Sequence, residues 1–358
     1  MADQHSQRKR EHLRIALEEP VEFQWVSAGF ERFSFVHCAL PEFSLDEVET
    51  GLSLFGKALR APIFISALTG GTAEAQEINR RLARAAQELG LAMTVGSQRA
   101  AIEDEALAST YQVRDVAPYI LLFANLGAVQ LNYGYGLGEC RRALEMIGAD
   151  GLALHLNPLQ EALQPEGNTD FRGLKEKIAA VCRGLTVPVL VKEVGWGISG
   201  QVAAMLDEAG VAGFEVAGAG GTSFSAIEMR RIKDTARLRV AQAFADWGLP
   251  TVECITLVRQ AAPSRLLIAS GGVRSGVHVA KALALGADAA GLGLPLLKAA
   301  SSSRQAVVNY LERLIHELRL AMFCTGARTI AELKGRPLVA GERWRRGAGE
   351  QGSGTPAP

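Results

Sequence analysis

Short apolar runs alternate along the chain with longer segments of helical periodicity, and each run opens into a loop bearing Gly or Ser. The runs predict strands over 62–67, 92–95, 120–124, 151–154, 188–192, 213–217, 266–269 and 289–292. Several are introduced by one stop signal. Leu89-Gly90-Leu91, Ile147-Gly148-Ala149-Asp150, Ala209-Gly210-Val211 and Leu285-Gly286-Ala287-Asp288 each put Gly just past a helix, where a left-handed residue costs least. These are degenerate βα repeats. Eight of them fit a closed parallel barrel better than an open doubly wound sheet, which has fewer strands and one switch point. The expected fold class is therefore α/β, a (β/α)₈ TIM barrel over 61–325, closed by a helix over 301–323. Residues 1–60 are expected to form an N-terminal extension contributing to the substrate site. Residues 326–358 are expected to be a mostly flexible C-terminal segment, with the Gly-, Arg-, Ser- and Pro-rich stretch 341–358 disordered.

Composition narrows the function classes. Among 358 residues, 38 Lys and Arg balance 38 Asp and Glu, which argues against a protein dominated by nucleic-acid or membrane-surface attraction. Any anion site must then be local. The 48% hydrophobic content supports a large core, and 38 glycines imply many tight turns or backbone-lined pockets. Five cysteines, Cys38, Cys140, Cys182, Cys254 and Cys324, are odd in number and never form a CxxC pair. Neither a zinc site nor a disulfide framework is indicated. The first residues are charged where a signal peptide is apolar, and no uninterrupted apolar window reaches membrane-span length. A soluble protein of a reducing cytoplasm, with no nucleic-acid or membrane partner, is expected.

In a barrel the site lies at the C-terminal ends of the strands, and unusual polar residues gather there. Ser270-Gly271-Gly272-Val273-Arg274-Ser275-Gly276 precedes a predicted helix, and Gly293-Leu294 follows the last strand. Main-chain N–H groups at such places suit a phosphomonoester, although the glycines alone would also serve tight turns. Lys192 ends the apolar run Val187-Pro188-Val189-Leu190-Val191 and would point into the barrel mouth. There it pairs with Glu193 or Glu215, or faces a flavin near its pyrimidine edge. His155, Asn157, Gln160 and Glu161 cluster after the fourth strand. This is either an ordinary helix start or a ligand site, with Glu161 on a Mg²⁺ bridged to a diphosphate and Gln160 at the reacting part. Arg8-Lys9-Arg10 with His12 is a solvated charge run, or a segment folded over the mouth to clamp phosphate oxygens together with Arg99.

Taken together, these segments resemble type 2 isopentenyl-diphosphate isomerase, the FMN-dependent family. The likeness runs in order from Arg8-Lys9-x-x-His12 through Leu68-Thr69-Gly70-Gly71, Gly96-Ser97-Gln98-Arg99, Asn125-Leu126-Gly127 and His155-Leu156-Asn157-Pro158-Leu159-Gln160-Glu161. It continues through Val191-Lys192-Glu193-Val194-Gly195 and Ala217-Gly218-Ala219-Gly220-Gly221-Thr222-Ser223 to Ser270-Gly271-Gly272-Val273-Arg274. The resemblance implies interconversion of isopentenyl and dimethylallyl diphosphate on a (β/α)₈ barrel with reduced FMN and Mg²⁺. NADPH would keep the flavin reduced, and no net redox would occur.

Carried over by motif, Ala67, Leu68, Thr69, Ser97, Asn125, Lys192, Thr222, Gly271, Gly272, Gly293 and Leu294 would contact FMN. Arg8, Lys9, His12, Ser97, Arg99, Asn157 and Gln160 would meet the substrate. Gln160 and His155 would be catalytic and Glu161 would bind Mg²⁺. The proton would move through flavin N5 or Gln160, and the chain would assemble as a homotetramer or octamer. Departures from the family pattern are Leu68 for the usual Met, Phe224 for Trp and Glu215 for Asp; Glu228 also fits the pattern, though a helix-start Glu is the simpler reading. Two rivals remain: an α-hydroxy-acid oxidase or dihydroorotate dehydrogenase-like barrel, and a flavin binder without activity.

Overall fold

A computed structural model describes residues 2–340, with side chains from Gln7 onward; the stretch 341–358, expected to be disordered, lies outside the described residues. Eight parallel strands close into a barrel. In chain order they are β1 (Ile63–Ile65), β2 (Ala92–Thr94), β3 (Leu122–Gly127), β4 (Gly151–His155), β5 (Val189–Lys192), β6 (Gly213–Glu215), β7 (Leu266–Ser270) and β8 (Ala289–Leu292). Each pairs with its neighbour in sequence, and β8 returns to β1 through Ala290 opposite Ile63 and Leu292 opposite Ile65. All eight predicted strands are present, and the predicted helix stops hold: Gly90, Gly148, Gly210 and Gly286 have φ of 64°, 58°, 86° and 117°.

Side chains alternate between the barrel interior and the helical layer, and this period places the polar groups. Phe64, Phe123, Leu190, Leu266, Ile268 and Ala289 belong to one apolar cluster that fills the lower barrel. The hairpin of Leu52–Leu54 and Lys57–Leu59 closes that end, with the Phe55 ring edge-on to Phe123 at 6.0 Å. Two residues further along the same strands, the inward positions are Ser66, Asn125, Lys192 and Ser270. The barrel thus changes from an apolar plug to a polar floor within one inward step. Ile63, Ile65, Leu122, Leu152, Val189 and Val191 face the other way, into the larger core beneath the helices.

Three boundaries differ from expectation. Asn125, Leu126 and Gly127, expected in a loop, belong to β3, because their pairing with Ala153, Leu154 and His155 extends both strands upward. The closing segment is two helices, Leu294–Ser302 and Arg304–Cys324, since Ser303 adopts an extended conformation and caps the second through Ala306 N. Residues 326–340, expected within a mostly flexible segment, are folded. Ala327, Ile330 and Leu333 are buried, and Leu338–Ala340 pairs antiparallel with Phe33–Phe35 of the extension. The extension grips both ends of the barrel: its hairpin plugs the bottom, and helix Ala2–Glu18 lies over the mouth.

Candidate active site

One cavity of about 270 Å³ opens at the C-terminal ends of the strands, and every predicted site residue lines it. Ala67, Leu68 and Thr69 come from the loop after β1, and Ser97 and Arg99 from the loop after β2. Asn125 comes from β3, His155, Asn157, Gln160 and Glu161 from β4 and the helix Pro158–Leu163, and Lys192 from the end of β5. Thr222 follows β6, Gly271 and Gly272 follow β7, and Gly293 and Leu294 follow β8. Arg8, Lys9 and His12 descend from the N-terminal helix, whose Leu13 and Ala16 also face the cavity.

The phosphate-compatible corner is built by close backbone contact. A Cβ on Gly271 would fall 2.0 Å from Gly218 O, and one on Gly272 would fall 2.5 Å from Gly220 O. The loops after β6 and β7 therefore touch main chain to main chain, with Gly272 in the left-handed region at φ +71°. Among the described residues the N–H groups of Gly272, Gly293 and Leu294 have no main-chain acceptor. Gly293 starts helix Leu294–Ser302 with no side-chain cap; Pro295 has no N–H, and Leu296 and Leu297 donate to Gly293 O, so the donors of Gly293 and Leu294 are the ones at this helix start that suit an anion. This fits the phosphate of FMN.

Lys192 is 5% exposed. Its Nζ donates to Glu193 O at 2.6 Å, and its charge acts on the Glu193 carboxylate without a direct hydrogen bond to it. Glu193 is occupied elsewhere: one carboxylate oxygen accepts from the N–H groups of Val194, Gly195 and Trp196 at 2.7, 2.7 and 2.6 Å. Burial pushes its pKa up to about 7 against the lowering effect of those donors. Glu215 accepts from Ser66 Oγ at 2.6 Å. A buried cation on the cavity floor whose ammonium hydrogen bonds to a main-chain carbonyl is the arrangement an electron-rich ring satisfies.

The β4 cluster is a hydrogen-bonded network. Asn157 Nδ2 donates to Gln160 Oε1 at 3.0 Å and to Glu161 Oε1 at 2.9 Å, and Glu161 Oε2 accepts from Asn168 N at 2.6 Å. Asn157 Oδ1 is buried without a partner, a free acceptor at the cavity wall. Glu161 is the lone carboxylate of this group, and no cluster of three or more potential protein metal ligands exists among the described residues. That donor set fits Mg²⁺, which binds through one or two carboxylates plus water and phosphate oxygens. His155 Nδ1 lies 3.0 Å from Asn125 Oδ1, and Asn125 Nδ2 donates to Val95 O. Desolvation, with Lys192 and Lys9 adding to it, lowers the His155 pKa to about 3, so its imidazole is neutral.

At the roof, Arg8 Nη1 donates to Gln164 Oε1 at 2.9 Å, and Arg99 to Glu103 at 2.8 Å and Asn168 Oδ1 at 3.0 Å. Lys9 Nζ donates to Ser97 O at 2.7 Å and to the hydroxyl of Tyr111. Removal from bulk water, then the charge of Arg8, lowers the Lys9 pKa to about 7. His12 Nε2 is 3.0 Å from Glu228 Oε1. Glu228, for which a simple helix-start role was the easier reading, is 1% exposed and touches Gln160, His12 and Arg231. Tyr111, Gln164, Asn168 and Arg231 escaped the sequence reading. Gln164 carries a helical-spacing signal four residues after Gln160; the others reach the site only through tertiary contact.

Comparison with known proteins shows the family of the chain. A family model described as FMN-dependent dehydrogenase matches residues 2–117 and 158–340. A protein named isopentenyl-diphosphate delta-isomerase from Nostoc sp. is 52% identical over 92% of this chain and 95% of its own. Its namesake from Synechocystis sp. is 52% identical over 98% and 99%. A solved mandelate oxidase structure, 21% identical over 94% of this chain and 98% of its own, superimposes with a TM-score of 0.67 and shares the fold. At half identity along almost the full length of both chains, on a barrel of the FMN-dependent dehydrogenase kind, this chain belongs to the isopentenyl-diphosphate delta-isomerase family.

Proposed function

We propose that the cavity interconverts isopentenyl diphosphate and dimethylallyl diphosphate over reduced FMN, with no net redox change. The observation that carries this reading is the presence of two anion-compatible regions in separate sectors of one rim. Main-chain donors stand at Gly272, Gly293 and Leu294, and the cations Arg8, Lys9 and Arg99 stand beside Glu161. A barrel that bound FMN alone would need only the first.

Ala67, Leu68, Thr69, Ser97, Asn125, Lys192 and Thr222, with the glycine corner, would hold FMN. Reduced FMN supplies an electron-rich ring beside which positive charge developing on the alkene is stabilised. Arg8 and Arg99 bind diphosphate oxygens through paired guanidinium donors, and Lys9 adds a point charge. Glu161, its carboxylate fixed by Asn168 N and Asn157 Nδ2, would hold Mg²⁺, which would supply positive charge to neutralise the diphosphate. Leu13, Ala16, Phe224 and Ile227 exclude water from the hydrocarbon end. Gln160, clamped by Asn157 and Glu228, presents its carboxamide to the reacting carbons. His155, neutral and braced by Asn125, contributes a hydrogen bond there and no charge.

NADPH is the proposed reductant of the flavin. The proposed setting is a reducing cytoplasm, in keeping with five free cysteines and no helix, among the described residues, long and apolar enough to cross a membrane. A homotetramer or octamer is the proposed assembly, with no nucleic-acid partner. Anaerobic incubation with FMN, NADPH, Mg²⁺ and isopentenyl diphosphate, followed by NMR, tests the reading. Dimethylallyl diphosphate should form only when reduced flavin is present. Absence of product from protein with FMN bound would overturn it.

A further inference from the structure

Tyr111 takes no part in the function above, yet it is fully buried where three pieces of the cavity wall meet. Its hydroxyl donates to Ser97 O at 2.8 Å and accepts from Lys9 Nζ, which donates to that same carbonyl at 2.7 Å. The Lys9 nitrogen also lies 4.9 Å from the ring centroid. A charged Lys9 thus has two of its three donors committed and one left for an anion. The ring rests on the loop after β1. A Cβ on Gly70 would fall 2.0 Å from Tyr111 Cε1, and one on Gly71 would fall 3.3 Å from its hydroxyl oxygen and 3.1 Å from Lys9 Cδ. Thr110 Oγ1 accepts from Gly71 N at 2.9 Å, which ties the same turn down from the adjacent residue. Burial raises the phenol's pKa above the ordinary tyrosine value, so Tyr111 stays neutral and acts through geometry.

We propose that Tyr111 is a positioning residue for the diphosphate: its hydroxyl and the Ser97 carbonyl together aim the Lys9 ammonium into the cavity, while its ring supports the Gly70-Gly71 turn. This rests on the assignment of Lys9 to the substrate diphosphate. Without the hydroxyl, Lys9 keeps one main-chain acceptor, and its flexible four-carbon stem regains rotamer freedom. Anion affinity falls, and the flavin loop, which needs only the ring, is unaffected.

The test is a double-mutant cycle on FMN-bound protein, with Tyr111→Phe, Lys9→Met and both together, and inorganic pyrophosphate with Mg²⁺ as the calorimetric probe. Tyr111→Phe should weaken pyrophosphate about ten-fold, the scale of one hydrogen bond to a charged group. It should raise KM for isopentenyl diphosphate by a similar factor and leave kcat and FMN affinity within about two-fold. In the Lys9→Met background the same change should matter less than about two-fold. Tyr111→Leu, which also removes the ring, should lower FMN occupancy as well. Unchanged pyrophosphate affinity in Tyr111→Phe, equal weakening in both backgrounds, or a parent protein that does not bind pyrophosphate would overturn the proposal. Coupled pyrophosphate binding without isomerisation would instead overturn the proposed reaction and leave this inference standing.

Discussion

Glu228 Oε1 lies 3.3 Å from Gln160 Nε2 and 3.0 Å from His12 Nε2, joining the helix after β6 to the helix after β4 and to the N-terminal helix over the mouth. Its other oxygen takes Arg231 Nη1 at 2.7 Å. Burial alone raises the Glu228 pKa, but the hydrogen bond and charge of His12, with Arg231, outweigh burial and hold it below the usual carboxylate value. The pocket therefore keeps an ionised carboxylate directly behind Gln160.

Glu228→Gln removes that charge and leaves an amide oxygen able to accept from Gln160 Nε2. Turnover is expected to fall about ten-fold, the scale of one charge-assisted hydrogen bond holding Gln160, with FMN affinity retained. The folded-state pKa is depressed, so this carboxylate stabilises the fold above the unfolded-state value and loses that contribution as pH falls through the folded value. Unfolding midpoints of the variant should accordingly depend less on acid than those of the parent. Full turnover in Glu228→Gln would show that the charge behind Gln160 is not needed to hold it.

Lys9 sets a second pH dependence, of opposite sense. Its pKa of about 7 means that the ammonium is present below neutrality and lost as pH rises. A bound diphosphate favours the charged form, so substrate affinity should decline above pH 7, by at most about ten-fold per unit for one proton. Comparing KM against pH for the parent and for Lys9→Met separates this from the titration of the substrate itself. Identical profiles would contradict it.

Glu161→Gln tests the metal assignment. Its carboxylate is oriented by Asn157 Nδ2 and Asn168 N, and a neutral amide oxygen lacks the charge with which a carboxylate holds Mg²⁺. Turnover should drop by about 10² or more and lose its response to added Mg²⁺, while flavin absorbance stays unchanged. Unaffected Mg²⁺ dependence would place the ion elsewhere.

Gly272→Ala probes the phosphate corner. The new methyl group would meet Gly220 O at 2.5 Å and Ala28 Cβ at 2.6 Å, in a backbone conformation of φ +71°. Strain of this kind costs on the order of 1–3 kcal/mol, and the loop must shift to relieve it. FMN affinity should fall at least ten-fold in a fluorescence titration; undiminished affinity would show that this corner does not bear the phosphate.

The barrel was legible because its signals are local. A left-handed glycine such as Gly90 or Gly148 marks a helix end whatever surrounds it, and apolar strand runs need no distant partner to be recognised. The rim was legible for a related reason: Lys192 and His155 end strands and Gly271-Gly272 follow directly on one, where a barrel places its site. The roof was harder. Tyr111 and Lys9 meet across 102 residues and Arg8 and Gln164 across 156, and neither contact leaves a periodic trace in the sequence. Glu228 was visible as a residue, but its burial against His12 depends on where the N-terminal helix docks. Residues 326–340 were misjudged because their order comes from pairing with Phe33–Phe35, a partner at the far end of the chain.

The central claim is a double-bond shift without net oxidation on a barrel whose fold is shared with flavin oxidases. Its most direct test is the anaerobic ratio of NADPH consumed to dimethylallyl diphosphate formed from isopentenyl diphosphate, with Mg²⁺ present and the reaction run in D₂O. NADPH consumption should stop once the flavin is reduced, while deuterated product continues to accumulate over many turnovers. Consumption of one NADPH for each product molecule, or no product from fully reduced enzyme, would contradict it.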